Sequence, residues 1–293
     1  MSRVSVTTAA GSSRRGGIAA VLPTVALLLG AVYCLIPVVW VVVAATKTPG
    51  ELFSTFSFLP GTRGGLADNL SQLSGYRSGE FWRWGLNTAL YAGVGAGLSV
   101  AVSAVAGYAL AKYRFPGRTA AFNVLLAGVL VPQITLAIPQ YLLLAEVGLT
   151  DTYWSVLLPS ILSPYGIYLS RIYATAAVPD EMVEAARIDG AGEFRIFTSI
   201  AVPTMVPGLV TVFLLQFVAV WTNFLLPYIM LADDRKFPLT VGLFTMLNQG
   251  ADQPALNTLV ITGALLAVIP LIALFLVLQR FWSIDLVSGG VKA

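Results

Sequence analysis

A chain of 293 residues in which 57% are hydrophobic and only 11% charged is too apolar for a water-facing surface, because soluble domains carry about a quarter charged residues. The formal net charge of +3 comes from scattered basic residues and gives no nucleic-acid footprint. The absence of histidine and the single cysteine, Cys34, exclude Ser-His nucleophile pairs, His-based zinc or haem sites, intrachain disulfides and multi-cysteine metal sites.

The first 17 residues are rich in Ser, Thr, Gly and Arg and are expected to be a disordered cytoplasmic N-terminus. After them, charges mark where the chain can leave a bilayer, since an ionised side chain at mid-depth costs several kcal/mol. Six charge-free windows follow, at 16–46, 84–111, 119–145, 152–170, 196–232 and 253–279. Each is long enough to cross a hydrocarbon core as a helix of about 20 residues, although the fourth, of 19 residues, crosses only if nearly upright or if Arg171 snorkels. Helices are the expected form, because lipid offers no partner for free backbone groups and the windows are too long for barrel strands. The first window runs to 31 uncharged residues without a clear cleavage site, so it is expected to be a retained span rather than a signal peptide. The fold class is therefore an all-α membrane protein with six transmembrane helices.

Placing both termini inside puts eleven Lys and Arg residues on the cytoplasmic side and six outside, which predicts an N-in, C-in topology. The bias is sharpest at KYRFPGR, Lys112 to Arg118, against the base-free outer segment Glu146 to Asp151. The first outer loop, Lys47 to Arg83, is long and rich in Gly and Ser. The third, Asp233 to Asp252, holds an apolar stretch too short to span, and reads as re-entrant or interfacial or as packing on a partner.

One cytoplasmic segment is acidic, with Asp180, Glu181, Glu184, Asp189 and Glu193. Pro179 before Asp180 and Glu181 suits a helix start, and Arg187 followed by Gly190 suits a helix end, which predicts a helix over 180–189. Met182, Ala185, Ala186 and Ala191 are expected to give it a low-relief outer surface, while Phe194 and Phe197 pack back on the bundle. A helix lying on lipid should instead be basic and bulky.

The run EAARIDGA, followed by Phe194, Phe197, Ile200, Val202-Pro203 and Pro207, resembles the EAA loop of ABC importer permeases. Val202 stands where the family usually has Leu. GYALAKYRFPGR, PQITLAIPQYLLLAEVGLTDTYWSVLLP, WTNFLLP and LQRFWSIDLVSGGVKA extend the likeness to residues 20–293, in the MalG-like, carbohydrate-uptake class. Thr222 departs from that class by splitting its usual Trp-Asn pair. The resemblance implies a type I ABC importer permease domain over 18–283, a coupling loop at 178–207 and a cytoplasmic tail at 284–293. It implies that Glu184, Ala185, Ala186, Asp189, Gly190 and Ala191 contact an ATPase, and that the tail from Ser288 to Ala293 reaches the ATPase dimer. The implied partners are a second homologous permease, two ATPase subunits carrying ATP and Mg, an extracytoplasmic sugar-binding protein meeting the third outer loop, and membrane lipid, in a bacterial inner membrane.

No G-x-x-x-x-G-K-[ST] loop is present, so ATP hydrolysis is expected on another chain and no cofactor or metal on this one. A sugar needs hydrogen bonds and aromatic faces. The polar or aromatic candidates at membrane depth are Asn87, Gln133, Gln140, Tyr165, Gln216, Trp221 and Asn223, with the last two favoured because Pro227 suggests a broken helix beside them. No ionisable residue lies in mid-span, which argues against an ion-coupled secondary transporter and for a neutral solute. Glycerol phosphate, peptide or polyamine cargo remains the alternative within the same architecture.

Overall fold

The computed structural model describes residues 16–62, 64–250 and 253–281. Arg3, Arg14, Arg15, Arg63, Asp252, Lys292 and the tail 284–293 lie outside them, and with them the expectations for the N-terminus and for the tail. Every regular element among the described residues is helical. In chain order these are α1 (Gly16–Ala44), α2 (Pro49–Ser54), α3 (Gly65–Gly75), α4 (Glu80–Lys112), α5 (Arg118–Leu130), α6 (Gln133–Glu146) and α7 (Tyr153–Ile161). They continue as α8 (Pro164–Ala177), α9 (Asp180–Ile188), α10 (Glu193–Ile196), α11 (Val202–Trp221), α12 (Leu225–Met230), α13 (Leu239–Gln249) and α14 (Ala255–Leu278). A π-helical turn, Phe197–Ala201, joins α10 to α11, making one helix of 29 residues from Glu193 to Trp221.

Among the described residues, four helices are long and apolar enough to cross a membrane singly, within Pro23–Ala44, Glu80–Lys112, Glu193–Trp221 and Ala255–Phe281. The windows at 119–145 and 152–170 are not the single helices expected. The first is α5 and α6, bent by 105°. Pro132 supplies the reason: it has no N–H to donate, and its ring disfavours a helical Val131, which is extended at φ −73, ψ 121. The second window breaks at Leu162 and Ser163 before Pro164, where the Ser163 hydroxyl accepts from Gly166 N at 3.0 Å and restarts the chain as α8.

α4 is the central post. Its N-terminal half, the outer one in the predicted topology, packs in a core of Phe81, Trp84, Tyr91, Val156, Val220, Met230, Leu239 and Met246. Its C-terminal half, the inner one in that topology, packs in a second core of Ala104, Tyr108, Ala174, Val178, Ile196 and Met205. Between the two, Ser99, Ser103 and Gly107 of α4 and Gly166 and Ser170 of α8 form a seam of small residues that brings the two backbones together. α1 packs mainly on α14 and presents most of its apolar surface outward.

The predicted first outer loop, which composition alone describes as long and Gly/Ser-rich, holds built structure among its described residues, including α2 and α3. Thr48 and Glu51 form a reciprocal cap at the start of α2. The Glu51 carboxylate also accepts from the Thr62 hydroxyl and Thr62 N, and its pKa falls to about 2, with the Thr62 hydroxyl the largest cause. Lys47 is buried beneath the loop and donates to Phe56 O at 2.8 Å, while Asn69 Nδ2 donates to Ala45 O and Lys47 O.

Candidate functional site

Two places combine unusual chemistry with a built position. The first is the acidic segment predicted to be cytoplasmic. α9 runs Asp180–Ile188, with Asp180 and Glu181 in the first turn and Asp189 as its C-terminal cap, one residue from the expected end. Asp189 N, Gly190 N and Ala191 N donate back to Ala185 O, Arg187 O and Ala186 O, and Gly190 takes φ +79, which glycine adopts without strain. Val183 and Ala186 face inward to the cytoplasmic core, whereas Glu184, Ala185 and Asp189 are exposed. Ala186 is therefore not on the outer surface, and Ala191 is only half-exposed. The period of an α-helix explains this, since Val183 and Ala186 are three apart and share the buried face. Phe197 packs against the ring of Tyr108 at 5.2 Å as expected, but Phe194 projects into solvent.

This segment is tied to the inner end of α4. Lys112 Nζ meets Asp180 Oδ1 at 2.6 Å, and Glu193 accepts from Arg187 and from the Tyr113 hydroxyl. The hydrogen bond from Lys112, then its charge, lowers the Asp180 pKa below the ordinary carboxylate range. A carboxyl whose pKa is depressed on folding stabilises the fold above its unfolded value and loses that stabilisation as pH falls through its folded value. Amide protection over 180–193, corrected for intrinsic exchange, should thus stay constant from pH 8 to 5 and decline only below about pH 4. Hydrogen-exchange mass spectrometry checks this.

The second place is an open cavity of about 410 Å³ lined by α5, α6, α7, α8, α11 and α12. Gln133, Gln140, Tyr165, Gln216 and Asn223 all line it, together with Ser160 and Ser163. No Asp, Glu, Lys or Arg does. Gln133 and Gln140 are seven residues apart, two turns along one face of α6, and neither side chain makes a hydrogen bond among the described residues. Gln216 Nε2 donates to Ser160 O at 2.9 Å, which fixes its amide at the wall. Asn223 lies in the break between α11 and α12, where its Oδ1 accepts from Leu226 N at 3.4 Å. The arrangement can hydrogen-bond a neutral solute with unspent amide groups and offer it the half-exposed ring of Tyr165.

Asn87 and Trp221 do not join this cavity. Trp221 is buried in the outer core, with Nε1 donating to Ala267 O at 3.1 Å. Asn87 donates to Arg235 O and Phe237 O and accepts from the Tyr153 hydroxyl, so it braces the start of the third outer loop. Both were singled out by polarity and depth, and polarity does not say which way a side chain faces. The same loop is held by Trp84 Nε1 to Asp234 O, Tyr91 hydroxyl to Lys236 O and Leu239 N to Thr88 Oγ1. Asp151, at φ +56, completes the brace by accepting from Ala232 N and Asp233 N and pairing with Lys236 at 3.2 Å. Nothing in the local sequence marks Asp151 for this, because its partners lie about 80 residues away. Asn87→Ala should leave the half-buried Arg235 and Phe237 carbonyls without their side-chain donor at a cost of about 1 kcal/mol and raise exchange at Phe237 and Leu239, read by hydrogen exchange. Among the described residues, no three His, Cys, Asp or Glu side chains gather as metal ligands.

The helical bundle thus combines broken membrane-length helices, an uncharged polar cavity and an exposed acidic helix. Residues 97–283 match the family of binding-protein-dependent transport system inner membrane components, and the chain belongs to that family. It is similar to the arabinooligosaccharides transport system permease protein AraQ of Halalkalibacterium halodurans, at 35% identity over 73% of this chain and 76% of the relative. The lactose transport system permease protein LacG of Rhizobium radiobacter is 32% identical over 91% and 94%. The sn-glycerol-3-phosphate transport system permease protein UgpE of Rhizobium meliloti is 30% identical over 89% and 94%. The same fold occurs in a chain of a bacterial ABC transporter that imports the acidic polysaccharide alginate, with a TM-score of 0.79, 22% identity and coverage of 93% of this chain and 99% of that one.

Proposed function

We propose that this chain is the permease subunit of an ATP-driven importer for a sugar or oligosaccharide, forming half of the path across a bacterial inner membrane. The observation that carries the reading is the uncharged amide-lined cavity beside broken helices, in a chain similar to permeases of arabinooligosaccharide and lactose systems. Six spans with both ends inside fit the distribution of basic residues if α5–α6 and α7–α8 each count as one interrupted span. A second homologous permease would complete the path, two ATPase subunits would supply ATP and Mg, and an extracytoplasmic sugar-binding protein would deliver cargo at the outer loops. α9, with Glu184, Ala185, Asp189 and Gly190 outward, would take the ATPase stroke, with Ala186 and Ala191 supporting it from beneath. The likeness to UgpE raises glycerol phosphate as cargo, but a cavity with no basic lining residue gives a phosphate dianion no charge to meet.

Uptake of labelled oligosaccharide in vesicles holding the whole complex tests the path. Gln133→Leu with Gln140→Leu should cut uptake about tenfold or more while binding-protein-stimulated ATP hydrolysis persists. Unchanged uptake by that double variant would remove the cavity from the path.

A further inference from the structure

We propose that Glu193 is a positioning residue that makes the α9–α10 turn a rigid knob, and that the exposed Ile188 and Phe194 anchor this knob in the groove of a basic-rimmed ATPase partner. The inference rests on α9 being the coupling helix. A glycine turn between two helices is by default a hinge, yet Gly190 sits inside a clamp. Glu193 Oε1 accepts from Arg187 Nε at 2.6 Å, and Glu193 Oε2 accepts from Arg187 Nη2 at 3.2 Å and from the Tyr113 hydroxyl at 2.8 Å. Arg187 is in the last turn of α9, Glu193 opens α10 and Tyr113 caps α4, so one carboxylate joins three elements. A bidentate guanidinium–carboxylate pair fixes orientation as well as distance. The bond from Lys112 to Asp180 holds the other end of α9 to the same end of α4. Beneath the turn, Val183, Ala186 and Ile196 are embedded in the inner core.

The outer side of the clamp is unlike its inner side. Ile188 is 86% and Phe194 80% exposed, flanking Gly190 on either side in sequence. Around them, Glu181, Glu184 and Asp189 are exposed and form no salt bridge among the described residues. Arg195, beside Phe194, is an exposed base without an ion pair among the described residues, but the three carboxylates leave the surface net acidic, and apolar side chains on such a surface fit a protein groove with an apolar floor and a Lys/Arg rim. They do not fit the cytoplasmic leaflet, whose anionic headgroups repel a net acidic surface. A knob held in its docked shape binds without the entropy cost of ordering a hinge. It also passes a push to α4 through Tyr113 and Lys112, instead of dissipating it as rotation about Gly190.

The test uses the complete transporter in nanodiscs and vesicles, comparing Glu193→Ala, Arg187→Glu, Glu193→Arg and the double swap Arg187→Glu with Glu193→Arg. Each single variant should lower uptake about three- to tenfold with an unchanged melting temperature, the size set by a partly exposed bidentate pair. The double swap should restore most of the loss, and Phe194→Ala and Ile188→Ala should each lower the ATPase retained on purification. Single variants that transport like the parent, or a swap that restores nothing, would overturn the clamp. Glu184→Lys run in parallel separates the two failures: if it abolishes uptake while the clamp variants do not, only the clamp is wrong. If it too is harmless, the coupling helix itself is misassigned.

Discussion

Glu184→Lys is expected to abolish uptake while leaving the protein folded and in the membrane. Glu184 is exposed on α9 and makes no hydrogen bond or ion pair among the described residues, so its replacement has no internal contact to break. Surface substitutions of this kind usually change stability by no more than about 0.5 kcal/mol. The same change reverses charge in the middle of the proposed ATPase-docking surface. Like charges juxtaposed in an interface cost several kcal/mol, enough to empty the complex at ordinary concentrations. Gly190→Pro should give the same loss by another route, because proline cannot take φ +79 and has no N–H for Arg187 O. Uptake in vesicles, read beside membrane content and ATPase retention, measures both. Normal uptake by Glu184→Lys would end the coupling assignment.

Gly107→Leu is expected to have the largest effect on the fold. A Cβ at position 107 would stand 2.6 Å from Arg171 N and from Ser170 Cβ, and the backbone of α8 cannot step aside as a flexible side chain could. Overpacking of this kind typically costs about 1–3 kcal/mol, and here it would part α4 from the helix that carries α9. Purified in detergent, the variant should melt well below the parent and aggregate. Gly97→Ala on the same helix is the control, since nothing lies within 4 Å of its Cβ position. Equal melting of Gly107→Leu and the parent would refute the close α4–α8 approach.

Helix α9 was largely legible in the sequence. Its bounds follow from Pro179, two leading acids and Gly190, all of which act within a few residues. Which of its residues face out was less legible. Ala185 and Ala186 look alike in the sequence, and only the packing of Val183 shows that Ala186 turns inward. The cavity was half legible. Five of the seven candidate path residues meet there, because amides at membrane depth need either a partner or a ligand. Asn87 and Trp221 found partners instead, in the backbone carbonyls of Arg235, Phe237 and Ala267.

The sequence by itself determined that the chain is helical and membrane-borne, where charges let it leave the bilayer, and the start and stop of α9. These are consequences of hydration and of local backbone chemistry, which act along the chain. Only the tertiary structure decided that the windows at 119–145 and 152–170 are each two helices, that Gly107 is a contact point, and that Glu193 joins α4 to the α9–α10 turn. Those depend on residues far apart in sequence meeting in space, and neither composition nor periodicity records who meets whom.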